Sequence, residues 1–213
     1  MEAIPGWLFF TNILRAIWAS LTFDAATFDL VLQNPQSINV SIAVVLLAGL
    51  SHLIGQYIVL IINQAPLAAR VRAIALGLVM VVAEFLLWML AIWLIAGVVF
   101  RVWDPPIETF RVLGIAYAPM ILGVVVLIPY AGPALFQALR MWTVLAVIVA
   151  TSVAFELDPR AAAVCAVAGW LGHYPVVRLL GRFTGTDDSN ATLRTDEKVR
   201  RRAAQEAQRR GAA

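Results

Sequence analysis

The chain has 213 residues, of which 62% are hydrophobic and 14% charged, with a formal net charge of +3. Soluble domains carry about 25% charged residues, and the deficit here is concentrated, with no Asp, Glu, Lys or Arg between Val40 and Ala69 or between Val112 and Leu139. This excludes an ordinary soluble domain and predicts an integral membrane protein, while a single cysteine, Cys165, excludes an intrachain disulfide and, with only His52 and His173, any metal cluster.

In chain order, the N-terminus does not read as a cleaved signal peptide, because it lacks an early basic region and carries Glu2 and Pro5. Residues 6–33 are amphipathic. Trp7, Phe10, Leu14, Ile17, Leu21, Ala25, Phe28 and Leu32 recur at helical steps, interrupted by Asn12, Arg15, Ser20, Asp24 and Asp29. Such a stretch lies in the membrane interface or packs against its own spans. Asp24 is placed to cap a second short helix, and "QNPQ" at 33–36 ends it.

Five spans follow, at roughly 40–63, 74–100, 112–128, 134–155 and 161–180, by the length and apolar content that a crossing requires. "NQAPLAARVR", "RVWDPPIETFR", "IPYAGP" and "ELDPR" separate them, each with a proline that breaks a helix. The third span is near the lower length limit and either crosses fully or re-enters with the fourth. The expected fold is therefore all-α, a polytopic bundle of about five transmembrane helices behind an amphipathic interfacial helix. The expected segments are 1–36 (interfacial), 37–181 (membrane) and 182–213 (tail).

The tail holds eight of the sixteen Lys and Arg residues and five Asp and Glu. The positive-inside rule puts it in the cytoplasm, with Arg70 and Arg72 on the same side and, for five spans, the N-terminus opposite. The expected location is the plasma membrane of a prokaryote.

From Ala73 to Phe100 the only charge is Glu84. A charge within a span costs roughly 2.5–3.5 kcal/mol on insertion scales and normally faces a partner inside the bundle. The candidates are His52, Arg140 and His173. Depth favours Arg140, since both it and Glu84 are expected toward the cytoplasmic ends of their spans, and His52 remains open. A structural pair outweighs a proton or ion relay, because ionisable groups in the spans are few. His52, Gln56 and Asn63 form one polar stripe, read first as helix contact and second as a cavity lining. Trp88, Trp93 and Trp142 read as packing or lipid contact.

Enzyme signatures fail. There is no H-E-x-x-H pair, no G-x-S-x-G elbow, no phosphate-binding glycine loop, and no double glutamate of an intramembrane CaaX-type protease. No enzymatic activity and no cofactor are expected.

The stretch "ETFRVLGIAYAPMILGVVVLIPYAGPALFQALRMWTVLAVIVA", followed by "FELDPRAAAVCAVAG", resembles the Yip domain family of Ypt/Rab-interacting membrane proteins, chiefly its prokaryotic branch. The matching positions are Phe110, Arg111, Gly114, Ala116, Pro119, Pro129, Gly132, Trp142, Arg160 and Ala161. The resemblance covers roughly residues 40–180. It implies a five-helix bundle with a non-enzymatic role and an N-terminus in the cytoplasm, opposite to the side the charges give. The chain departs from the eukaryotic pattern in lacking a long soluble N-terminal region and in carrying a basic C-terminal tail.

The functional expectation is a non-enzymatic membrane protein acting through membrane lipids, membrane-protein partners or a homo-oligomer, with no nucleic-acid partner. The alternatives are an accessory subunit of a larger electron-transfer or pigment-carrying complex, and a small transporter built around Glu84.

Overall fold

The computed structural model describes residues 6–62, 67–128 and 130–184. Among them every regular element is helical: α1 (Gly6–Thr22), α2 (Ala25–Gln33), α3 (Ser37–Ile62), α4 (Leu67–Val99), α5 (Pro106–Ala116), a 3₁₀ segment (Ala118–Leu127), α6 (Gly132–Ala154) and α7 (Pro159–Thr184). Four stretches among the described residues are long and apolar enough to cross a membrane: Ser37–Ile54, Arg70–Val99, Pro106–Val125 and Ala134–Ala154. The protein is thus an all-helical integral membrane protein. α7 is 26 residues long, and its side chains at 173–174 and from 176 onward lie outside the described part of the structure. The chain divides into two compact units, Met1–Val177 and Arg178–Ala213; most of the second, including residues 185–213 of the tail expected at 182–213, lies outside the described residues.

Two boundaries differ from the sequence reading. The second span was expected to begin near residue 74, but α4 begins at Leu67. Nothing between Leu67 and Ala73 breaks a helix, and Arg70 and Arg72 join its first turns, so Glu84 sits at the middle of α4 rather than toward one end. The third span was expected as a helix over 112–128. Instead α5 starts at Pro106, in the first turn where a missing N–H is harmless. It stops at Ala116 because Pro119 has no N–H to continue the ladder. The chain then tightens into the 3₁₀ segment. With a rise of about 1.5 Å per residue in α5 and about 2.0 Å in the 3₁₀ segment, the two together reach about the 30 Å of a hydrocarbon core.

α1 packs on the bundle through small and medium side chains, and α2 through Phe28, which is fully buried. Ile13, Ala16, Ala19 and Ser20 are buried, and Ser20 Oγ donates to the Ala116 carbonyl at 3.1 Å. The stripe of large residues read from the sequence is only partly turned inward: Phe28 is buried, whereas Leu14 is exposed, as is its neighbour on the next turn, Trp18, at 69%. In α1, small residues allow the close backbone approach that helix packing in a membrane exploits, while Leu14 and Trp18 are turned outward. Phe23 adopts a left-handed φ of 58° between the two helices. Asp24 then caps α2, accepting from Ala26 N at 3.2 Å and from Thr27 Oγ1 at 2.6 Å. Trp142 of α6 clamps this turn, stacking on Phe23 at 5.7 Å and donating Nε1 to the Leu21 carbonyl at 3.2 Å.

α3 and α5 cross closely. A Cβ built on Gly114 falls 2.7 Å from Ser41 Cβ, and Ser41 Oγ donates to the Arg111 carbonyl at 2.5 Å. Buried Arg111 donates Nη1 to the Leu32 carbonyl at 3.0 Å, supplying a donor to the last turn of α2, where helix carbonyls lack one. Ser51 Oγ of α3 accepts from Val124 N at 2.9 Å, stitching the 3₁₀ segment to its neighbour. α7 lays Ala162, Cys165, Ala166 and Gly169 inward, and Trp88 Nε1 of α4 donates to the Ala166 carbonyl at 3.1 Å.

Candidate functional site

A carboxylate in the middle of an apolar helix needs a partner within reach, and the bundle supplies one. Arg140 Nη2 lies 3.2 Å from Glu84 Oε1, joining α6 to α4. Neither group is sealed: the side chains are 28% and 29% exposed. They open onto a cavity of about 160 Å³.

His52 of α3 lines the same cavity, its ring stacked on Phe136 of α6 at 5.2 Å. Tyr117 enters from the junction where α5 gives way to the 3₁₀ segment; it is buried and meets Phe85 edge-on at 5.3 Å. Trp88, fixed by its bond to Ala166, and Trp170 of α7 complete an aromatic wall. Thr143, whose Oγ1 is turned to the Leu139 carbonyl of its own helix at 2.9 Å, lies beside Arg140. The site therefore combines one acid, one guanidinium, an imidazole, a phenol and several ring faces in the middle of the spans. It offers charge-assisted hydrogen bonds and cation–π surfaces. Among the described residues no group of three His, Cys, Asp or Glu side chains is placed to hold a metal ion.

Of the residues singled out in the sequence, the structure brings Glu84, Arg140 and His52 to one cavity. The stripe continues beyond what can be placed: the side chains of Gln56 and His173, and residue Asn63, lie outside the described part of the structure. The motif positions are spread through the bundle. Phe110 meets Phe85 edge-on at 5.5 Å, and Arg111 and Gly114 tie α5 to α2 and α3 as above. Pro119 is fully buried at the start of the 3₁₀ segment. Gly132, at the start of α6, donates its N–H to the Ile128 carbonyl at 2.8 Å. Trp142 holds the α1–α2 turn, and Arg160 N is bonded to Asp158 Oδ1 at 2.8 Å. Pro129 lies outside the described residues.

Sequence reading missed Tyr117, Phe136, Thr143 and Trp170 as cavity residues. Two carried a signal, since Phe136 and Thr143 flank Arg140 by one helical turn on either side. Tyr117 and Trp170 come from other elements, and only tertiary packing brings them in.

Comparison with protein-family models, with curated proteins and with solved structures gives no match to this chain.

Proposed function

We propose that the protein is a non-enzymatic helix-bundle membrane protein of the Yip type, acting through lipids or membrane-protein partners, a second copy of itself included. The observation that carries this reading is the Glu84–Arg140 contact across α4 and α6 at 3.2 Å. An acid and a base that neutralise each other at one level tie a bundle together; a relay needs ionisable groups strung along its length. The tasks of Phe110, Arg111, Gly114, Pro119, Gly132 and Trp142 support it too, since each is spent on helix packing. In this reading α7 is the fifth crossing and the tail lies in the cytoplasm of a prokaryotic cell. α1 runs along the interface with Leu14 and Trp18 turned to lipid.

Two measurements test it. Affinity purification in native lipid is expected to recover a reproducible lipid or protein set, and Glu84→Gln is expected to lower thermal stability. A stable Glu84→Gln protein that has lost an ion- or proton-dependent flux in liposomes would overturn the reading. A cysteine at Ala203 is expected to react only when the cytoplasmic side is opened; labelling from outside alone would reverse the topology.

One observation favours a second reading, an accessory subunit of a larger membrane complex. Only 17% of the most apolar window of α4 is buried, against 67% for Pro106–Val125. Leu78, Val79, Leu86, Leu90, Leu94 and Val98 face outward, a stripe wide enough for a partner helix. Stoichiometric co-purification of one membrane protein with the wild type, lost on placing bulky polar residues at Leu86 and Leu90, would favour it.

A further inference from the structure

Four elements bring a polar residue to the middle of their lengths: His52 of α3, Glu84 of α4, Tyr117 at the break after α5, and Arg140 of α6. All four line one cavity of about 160 Å³. Holding a bundle together requires the ion pair but not the space beside it, and an unfilled volume of this size weakens packing. A broken helix at mid-membrane that contributes to a polar cavity is also the architecture in which small solutes are bound.

From this geometry we infer that the cavity is a binding site for a small zwitterionic solute of the α-amino-acid class. Its ammonium lies against Glu84 and the rings of Trp88, Tyr117, Phe136 and Trp170, and its carboxylate against the Arg140 guanidinium. Charge selects the class. A bare cation would lie beside Arg140 and a bare anion beside Glu84, each repelled by one member of the pair. A zwitterion set antiparallel to the pair meets an opposite charge at both ends and adds no net charge to the membrane interior. The ring faces reinforce the ammonium end, and the planar guanidinium matches a carboxylate. Size limits the side chain. A cavity of roughly 150 Å³ accepts benzene, which is about the bulk of alanine, so glycine and alanine fit and tryptophan does not. Depth excludes a lipid headgroup as the source, because headgroups lie at the edges of a hydrocarbon core about 30 Å thick and the cavity is at mid-span. The inference goes beyond the partner-based reading and stands or falls without it.

The test is thermal unfolding of the full chain in nanodiscs with L-alanine, glycine, L-tryptophan, methylammonium or acetate, each at tens of millimolar. Alanine and glycine are expected to raise Tm by roughly 2–4 °C through preferential binding to the folded state; methylammonium, acetate and tryptophan are expected to leave it unchanged. Two variants separate site binding from general solute effects. The double variant Glu84→Gln/Arg140→Met removes both charges, and Ala48→Met fills the cavity without touching the pair. Both are expected to lose the response. If the double variant does not fold, Ala48→Met decides. The inference is overturned if neither amino acid shifts Tm, if methylammonium or acetate shifts it equally, or if the response survives Ala48→Met.

Discussion

Arg140 Nη2 stands 3.2 Å from Glu84 Oε1, and this one contact joins the middle of α6 to the middle of α4. Removing either partner leaves the other charge inside an apolar bundle. Breaking a buried pair costs about 3–5 kcal/mol, and the partial exposure of these side chains puts the expected loss at the lower end. Arg140→Ala is therefore expected to lower stability by about 3 kcal/mol, and Glu84→Gln/Arg140→Met to recover most of it. Unfolding in detergent of the two single variants and the double variant checks this; additive losses in the double variant would show that the two groups are not coupled.

Gly114→Ala is expected to damage the bundle more than any alanine substitution on the outward face of α4. The added Cβ would sit 2.7 Å from Ser41 Cβ and 3.4 Å from the Ser41 backbone, so α3 and α5 must separate. Overpacking of this kind costs about 1–3 kcal/mol. Thermal unfolding of Gly114→Ala beside Leu90→Ala decides it, with the larger loss expected at Gly114.

Arg111→Met keeps much of the bulk but removes the donor to the Leu32 carbonyl. An unmet buried acceptor costs about 1–3 kcal/mol, and the loss falls on the attachment of α2. Proteolysis near 34–36 is expected to accelerate before the rest of the bundle is attacked. Uniform sensitivity along the chain would show that Arg111 does not act on α2 in particular.

Glu156, just after α6, has a left-handed φ of 49°. Side chains other than glycine lose about 1 kcal/mol in that conformation, partly offset by the greater flexibility of an unfolded glycine. Glu156→Gly is expected to leave stability unchanged or raise it by up to about 1 kcal/mol. A clear fall in Tm would show that the Glu156 side chain makes a contact worth more than the strain.

Asp104, in the turn between α4 and α5, has its carboxyl pushed above the ordinary range, first by burial and then by the charges of Glu108 and Glu156. A carboxyl that binds its proton more tightly when folded stabilises the native state while protonated. Its contribution is fully present below the unfolded carboxylate pKa, at about 3.9, and is lost as pH rises through the raised folded value. Asp104→Asn keeps the backbone carbonyl that accepts from Trp93 Nε1. It is expected to flatten the fall in stability above about pH 4. An unchanged pH profile would assign that slope to another group.

The sequence by itself determined the class of molecule and most of its helices. Charge-free runs as long as Val40–Ala69 and Val112–Leu139 have few fates other than membrane helices, because the cost of burying charge shapes composition along the whole chain. It also determined local devices whose physics needs only neighbours: the Asp24 cap two residues from Ala26, and the end of α2 at "QNPQ". It singled out Glu84 and Arg140, because a charge in an apolar run is conspicuous wherever the helix lies. Tertiary structure decided what depends on distant segments. It turned Leu14 and Trp18 outward and Ala16 and Ser20 inward, because what packs against α1 is the Ala116 carbonyl, a group no local pattern records. It divided the third span at Tyr117, where proline chemistry, contact with Ser51 and the fit of Gly114 against Ser41 meet. It assembled the cavity from residues as far apart as His52 and Trp170, since periodicity places a side chain on a face of its own helix and only packing decides which other face it meets.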